Sequence, residues 1–204
     1  MAEDCIVNFS ETPSTLSEQL FLDDLKNRKL VLDMPIGDDT FKLVGYYILR
    51  INAEDKYTPV EKRVPIKLYL ACDGGSVIDG LNLINIINAS KTPVHTIVVG
   101  QAYSMAIYIA LCGHKRYAFP NSTFLFHDGS MGIAATQRKL RDCIDFNDRV
   151  DFTLDSLVID KTKIEADELR DKSRVEWYMF ADEAKEKGVI DYIVGVDCDL
   201  EEVV

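Results

Sequence analysis

The stretch of this chain best placed to do chemistry is Gly100-Gln101-Ala102-Tyr103-Ser104-Met105-Ala106-Ile107-Tyr108-Ile109. It follows an apolar β-type run, His95-Thr96-Ile97-Val98-Val99, and leads into an apolar helical run over 105–112. A serine at such a junction has its hydroxyl lifted clear of the sheet, and the helix start behind it offers free backbone N–H groups to an oxyanion. Ser104 is therefore a candidate nucleophile. A second loop, Asp73-Gly74-Gly75-Ser76, also lies between a strand and a helix. Paired glycines let the backbone take positive φ and approach a ligand closely, so the loop can present an N–H or form a plain turn. It lacks the spacing of a P-loop or a dinucleotide fingerprint. Of the three histidines, His95 begins a strand and His114 sits in a polar turn beside Lys115. His127 ends the apolar run 123–126 and precedes Asp128-Gly129, at the mouth where an α/β site opens.

The elements that must position these residues follow from periodicity. Helix spacing is present over 16–29, 39–53, 77–90, 105–112 and 136–160, and a short helix over 182–187 ends at Gly188, a C′ cap. Strand patterns cover 29–32, 66–71, 95–99, 115–119, 123–126 and 189–194. Alternation of strands with helices predicts a layered α/β domain with mostly parallel pairing. The polar segment 1–15 reads as a flexible N-terminal arm and 16–204 as one domain, with no repeat or linker to divide it.

Composition sets outer bounds. The 204 residues carry 47% hydrophobic and 28% charged side chains, an ordinary soluble globular balance. A formal net charge of -11 repels phosphate backbones and argues against nucleic-acid binding. No run approaches the ~18 apolar residues of a membrane span, and the acidic start shows no signal-peptide pattern. The five cysteines form no CxxC pair; three of them (Cys72, Cys112, Cys143) lie in or beside apolar runs. They read as reduced thiols of a cytoplasmic protein, with no metal site.

Taken together, these residues resemble the proteolytic subunit of the Clp (caseinolytic) protease over 20–194. The segment 68–77 resembles that family's strand and Pro-Gly-Gly-Ser-Val loop, with Asp73 in place of the proline. The segment 100–106 resembles its Gly-Gln-Ala-Ala-Ser-Met-Gly nucleophile motif. Phe119-Pro120-Asn121-Ser122 followed by Phe126-His127 resembles the histidine-bearing segment, and 181–191 resembles the Ala-x-Glu-Ala-x-x-x-Gly-x-x-Asp signature. The resemblance implies a layered fold of repeated ββα units, shared with the crotonase architecture, and a protruding handle helix after the histidine strand. It also implies a serine endopeptidase. Ser104 would be the nucleophile and His127 the base, and the backbone N–H groups of Gly75 and Met105 would form the oxyanion hole. Implied partners are unfolded polypeptide substrates, further copies of the chain in stacked rings (heptameric by analogy) and a ring-shaped AAA+ unfoldase. No cofactor is implied in this chain; ATP would enter only through that partner.

The chain departs from the pattern in several places. Counting five residues back from Ala181 to the family's aspartate gives Glu176, one methylene longer. Glu176 is thus the expected third triad member, against the reading that it is a solvated surface charge. Asp171 is the alternative if the register slips, and Asp128, adjacent to His127, is poorly placed to reach the ring. Tyr103 replaces a small residue before the nucleophile, and its ring would either narrow the substrate pocket or pack on the sheet. Ala106 replaces a glycine, the loop 53–63 is longer, and the arm lacks the family's Pro-x-Val-x-Glu-like sequence. In the helix after His127, Ile133, Leu140, Ile144, Val150, Leu154 and Leu157 alternate with a charged face, which fits an oligomer contact. Three further readings stay open: a catalytically silent subunit of the same fold, an acyl-CoA enzyme of crotonase architecture, and a specialised phage or mobile-element processing protease.

Overall fold

The computed structural model describes residues 15–130 and 132–204. Helix α1 (Leu16–Lys26) starts at Thr15, whose side chain accepts from the Glu18 N–H while the Glu18 carboxylate accepts from the Thr15 N–H. Thr15, expected in the arm, is therefore the cap of that helix. The rest of the expected arm, with Cys5, lies outside the described residues. Strand β1 (Lys29–Leu32) comes next, then a π-type turn (Phe41–Gly45) that runs into α2 (Tyr46–Glu54). The charged loop after α2 is ordered by Arg28. Its guanidinium donates to both Asp55 carboxylate oxygens at 2.7 Å, and the Thr92 hydroxyl adds a third bond at 2.8 Å. Arg28 holds the buried Asp55 carboxyl below the ordinary carboxylate range.

The centre of the fold is the run β2 (Ile66–Cys72), α3 (Val77–Ala89), β3 (Val94–Tyr103), α4 (Met105–Leu111), β4 (Lys115–Ala118) and β5 (Thr123–Phe126). Helix α5 (Gln137–Lys161), α6 (Ala166–Ser173), β6 (Trp177–Phe180), α7 (Ala181–Glu186) and β7 (Tyr192–Ile193) complete it. The strands form one sheet in the order β1-β2-β3-β4-β7, with β5 pairing β3 and β6 off that path. All pairs are parallel except β5 with β6. Gly188 takes φ +75° just past the end of α7, as a C′ glycine does.

Strand β3 is longer than the apolar run 95–99 predicted, because its two halves serve different neighbours. Residues 95–98 pair with β4, and Gln101, Ala102 and Tyr103 pair with Thr123, Phe124 and Leu125 of β5. Between the halves the register against β2 slips, from Leu70 opposite Val98 to Cys72 opposite Ala102. Such an irregularity bends a strand and re-aims its downstream end, which here carries Ser104. Behind it, α4 is apolar on all sides, with Met105, Ala106, Ile107, Ile109, Ala110 and Leu111 all buried. A helix of that character belongs in the core, and it fixes the height of Ser104 above the sheet.

Helix α5 divides into two parts. Leu154 and Val158 are buried, and Val150 and Leu157 pack against the core. Toward its start Leu140, Ile144 and Phe146 are exposed, as is Ile133 before it. The expected apolar stripe is thus covered by this chain only over its C-terminal half. No helix among the described residues is long and apolar enough to cross a membrane.

Candidate active site

Ser104 joins β3 to α4 with φ 53° and ψ -128°, a combination that L-residues rarely hold and that glycine dominates. Two forces impose it. Its N–H donates to Leu125 O of β5 at 3.0 Å, which continues the β3–β5 pairing, while the buried α4 must start at the next residue. The Ser104 side chain does not cap α4. The first-turn N–H groups of that helix, beginning with Met105, therefore have no acceptor in the serine side chain.

The glycine loop lies directly against this corner. Gly74 (φ +99°) is so close that a Cβ built on it would stand 2.7 Å from Ser104 Cβ and 3.1 Å from Met105 N. Gly75 (φ +145°) is equally tight on its other side, where a Cβ would stand 2.3 Å from Ile36 O. Ile36 donates to Gly74 O at 2.9 Å and accepts from Ser76 N–H at 2.8 Å, which leaves the Gly75 N–H outside that pairing. Below the loop, the buried Cys72 thiol donates to Met34 O at 3.1 Å and accepts from Gly74 N–H at 3.4 Å. Burial pushes that thiol's pKa up, so it stays protonated and able to donate. Gln101 Nε2 donates to Asp73 Oδ1 at 3.1 Å, tying the loop to the strand that carries Ser104. Asp73, where the motif has proline, thus replaces a rigid ring with a side-chain bond.

His127 leaves the end of β5, two residues beyond the carbonyl that holds Ser104. Phe126 pairs with Trp177 in the antiparallel register. His127 and Glu176 are the next residues beyond that last pair on their two segments. Glu176 is exposed, takes φ +61°, and accepts a hydrogen bond from the Tyr178 hydroxyl at 3.3 Å. Asp128 donates its N–H to Ser173 O at 3.1 Å, so the end of α6 is clipped to the residue after His127. Trp177 is buried next to Glu176. Its indole N–H donates to Glu183 at 3.2 Å, and the Lys172 ammonium lies 4.2 Å above its ring. Asp171 stands on α6 with its side chain 73% exposed, 4.0 Å from Arg170 Nε. Among the described residues, no hydrogen bond links Ser104 to His127 or His127 to Glu176. Side chains in ligand-free sites are often looser than in the substrate complex.

His95 lies on β3, and His114 lies just before β4. His95 is half-buried and its pKa falls to about 4, through desolvation first and then the nearby Lys115 charge. His114 Nδ1 accepts from Val94 N–H at 3.1 Å. Cys72 and Cys112 are buried, Cys143 is half-buried, and all are free thiols. No cluster of three or more His, Cys, Asp or Glu side chains suited to a metal ion occurs among the described residues. Two shallow depressions, of about 290 and 360 Å³, lie elsewhere: one is lined by Leu49, Asn52 and Ile86, the other by Arg116, Lys161 and Asp191.

A family model described as Clp protease matches residues 15–197. The chain belongs to the Clp protease family. The match spans nearly the whole chain and includes the glycine loop, Ser104, His127 and Glu176, so the corner belongs to a family of proteolytic enzymes.

Two parts of this Clp protease site escaped the pattern reading. Helix α6 buries only Leu169, too little apolar periodicity to stand out. Strand β6 has a usable signal in Trp177-Tyr178-Met179-Phe180, a β-favouring aromatic run, and that strand delivers Glu176. Tyr178, the partner of Glu176, could have been found from the same run.

Proposed function

We propose that the chain is a serine-type endopeptidase working through Ser104, His127 and Glu176, with the Gly75 and Met105 N–H groups as the oxyanion hole. The observation that carries this reading is the corner at Ser104, with its glycine-like backbone, a hydroxyl not spent on capping α4 and Gly74 pressed against Ser104 and Met105 N. Strained non-glycine backbone concentrates at functional sites. In this mechanism His127 takes the Ser104 proton as Oγ attacks the scissile carbonyl carbon. The tetrahedral oxyanion accepts from the two N–H groups. His127 then returns the proton to the leaving amine, leaving an acyl group on Oγ. Water, activated by the same imidazole, releases it. Glu176 orients the ring and stabilises its charged form.

The proposal extends to assembly. The exposed apolar side chains at the start of α5 support burial against further copies, in stacked rings that are heptameric by analogy. The substrate is unfolded polypeptide in the cytoplasm, delivered by an AAA+ unfoldase that alone consumes ATP; this chain holds no cofactor. The shared layering with the crotonase architecture belongs to the same proposal.

A fluorophosphonate probe tests the chemistry against the reading of a silent subunit. The probe is expected to attach to Ser104 in the wild-type protein, and His127→Ala is expected to abolish attachment. A wild-type protein that stays unlabelled at Ser104 contradicts the serine mechanism.

A further inference from the structure

Glu176 has a side-chain partner that the triad does not account for. Tyr178 stands two residues further along the chain, and its hydroxyl donates to Glu176 Oε2 at 3.3 Å. Tyr178 is itself held from the strand that carries the nucleophile. In register, Tyr103 pairs with Leu125 and Leu125 with Tyr178, so one row crosses β3, β5 and β6. The Tyr103 and Tyr178 rings meet edge to face, with centroids 5.9 Å apart and planes at 87°. The Tyr103 hydroxyl is tied to Thr123 Oγ1 at 2.8 Å. A continuous line of contacts therefore runs from the residue before Ser104 to the Glu176 carboxylate.

We propose that Tyr178 is a positioning residue for the triad acid: its hydroxyl holds one oxygen of Glu176 and leaves the other to meet the His127 imidazole, while Tyr103 fixes the Tyr178 ring. This rests on the reading of Glu176 as that acid. The physical need is plain. A glutamate carries one more rotatable bond than the aspartate of the family pattern, and Glu176 is exposed, so nothing in a packed core restrains it. Desolvation, followed by the Glu176 charge, raises the Tyr178 pKa, so the phenol remains a donor at neutral pH. The same line of contacts gives Tyr103 a role in place of the small residue that the nucleophile motif carries there.

The test is Tyr178→Phe, which keeps the ring and removes the hydroxyl. With a small peptide substrate, kcat is expected to fall about tenfold while KM stays within about twofold, the size of one charge-assisted hydrogen bond. Fluorophosphonate labelling of Ser104 should slow by the same factor with no change in melting temperature. In a Glu176→Ala background the same substitution should alter the labelling rate by less than about twofold, because its route of action is gone. Wild-type kcat in Tyr178→Phe, a rise confined to KM, or equal slowing in the Glu176→Ala background each overturns the proposal. If instead Glu176→Ala by itself leaves turnover intact, the acid assignment fails and this inference fails with it. That outcome is seen in the single variant, before Tyr178 is touched.

Discussion

Ser104→Ala is expected to lower kcat for a small peptide substrate by about 10⁶-fold, the loss typical of removing a serine nucleophile. Melting temperature should be nearly unchanged, since alanine keeps the Cβ and hence the strain at φ 53° and ψ -128°. Ser104→Gly should be just as inactive but more stable. Relief of such strain is worth about 1–3 kcal/mol. The extra freedom glycine gives the unfolded chain takes back about 0.4–1 kcal/mol. A net gain of about 1 kcal/mol corresponds to a rise of about 2–4 °C in a domain of this size. The pair separates two properties of one residue, its hydroxyl in the proposed chemistry and its backbone strain in the fold. Equal melting temperatures in the two variants would mean that the corner relaxes without cost.

Glu176→Ala is expected to reduce kcat by about 10⁴-fold, because an imidazole without its acid loses both orientation and charge stabilisation. Asp171→Ala is expected to leave kcat within about threefold, as substitutions of exposed charges usually do. The contrast comes from position. Glu176 directly precedes Trp177 and His127 directly follows Phe126, the last β5–β6 pair, whereas the Asp171 side chain on α6 is 73% exposed and lies beside Arg170. Both variants should fold normally, since neither carboxylate is buried. The measurement is steady-state turnover of each variant beside wild type. Near-normal turnover in Glu176→Ala with a collapse in Asp171→Ala would move the role to Asp171.

Much of this site could be read from residue order because its chemistry sits at element boundaries. Apolar runs on both sides of Gly74-Gly75 and of Ser104 mark those boundaries, and the structure has β2–α3 and β3–α4 junctions there. The full length of β3 was hidden. Gly100 and Gln101 break the apolar pattern, and only the arrival of β5 as a second partner shows why the strand continues to Tyr103. The antiparallel β6 was hidden too, although its residues favour strands, because α6 before it has a single buried side chain. Hydrogen bonds such as Asp73 to Gln101 and Tyr178 to Glu176 join residues through tertiary pairing. Periodicity reports which face a residue takes, not which side chain it meets across the sheet. The α5 stripe shows the same limit from the other side. Its spacing is evident over the whole helix, but only the folded chain shows which half is covered.

The central claim is that peptide hydrolysis passes through an acyl group on Ser104. The most direct measurement is acid quenching during turnover of an activated peptide ester, with subsequent proteolytic mapping and mass spectrometry. The account predicts the substrate's acyl mass on the peptide that contains Ser104, and its absence in Ser104→Ala. Hydrolysis by the wild-type protein with Ser104 unmodified, and undiminished in Ser104→Ala, would contradict it.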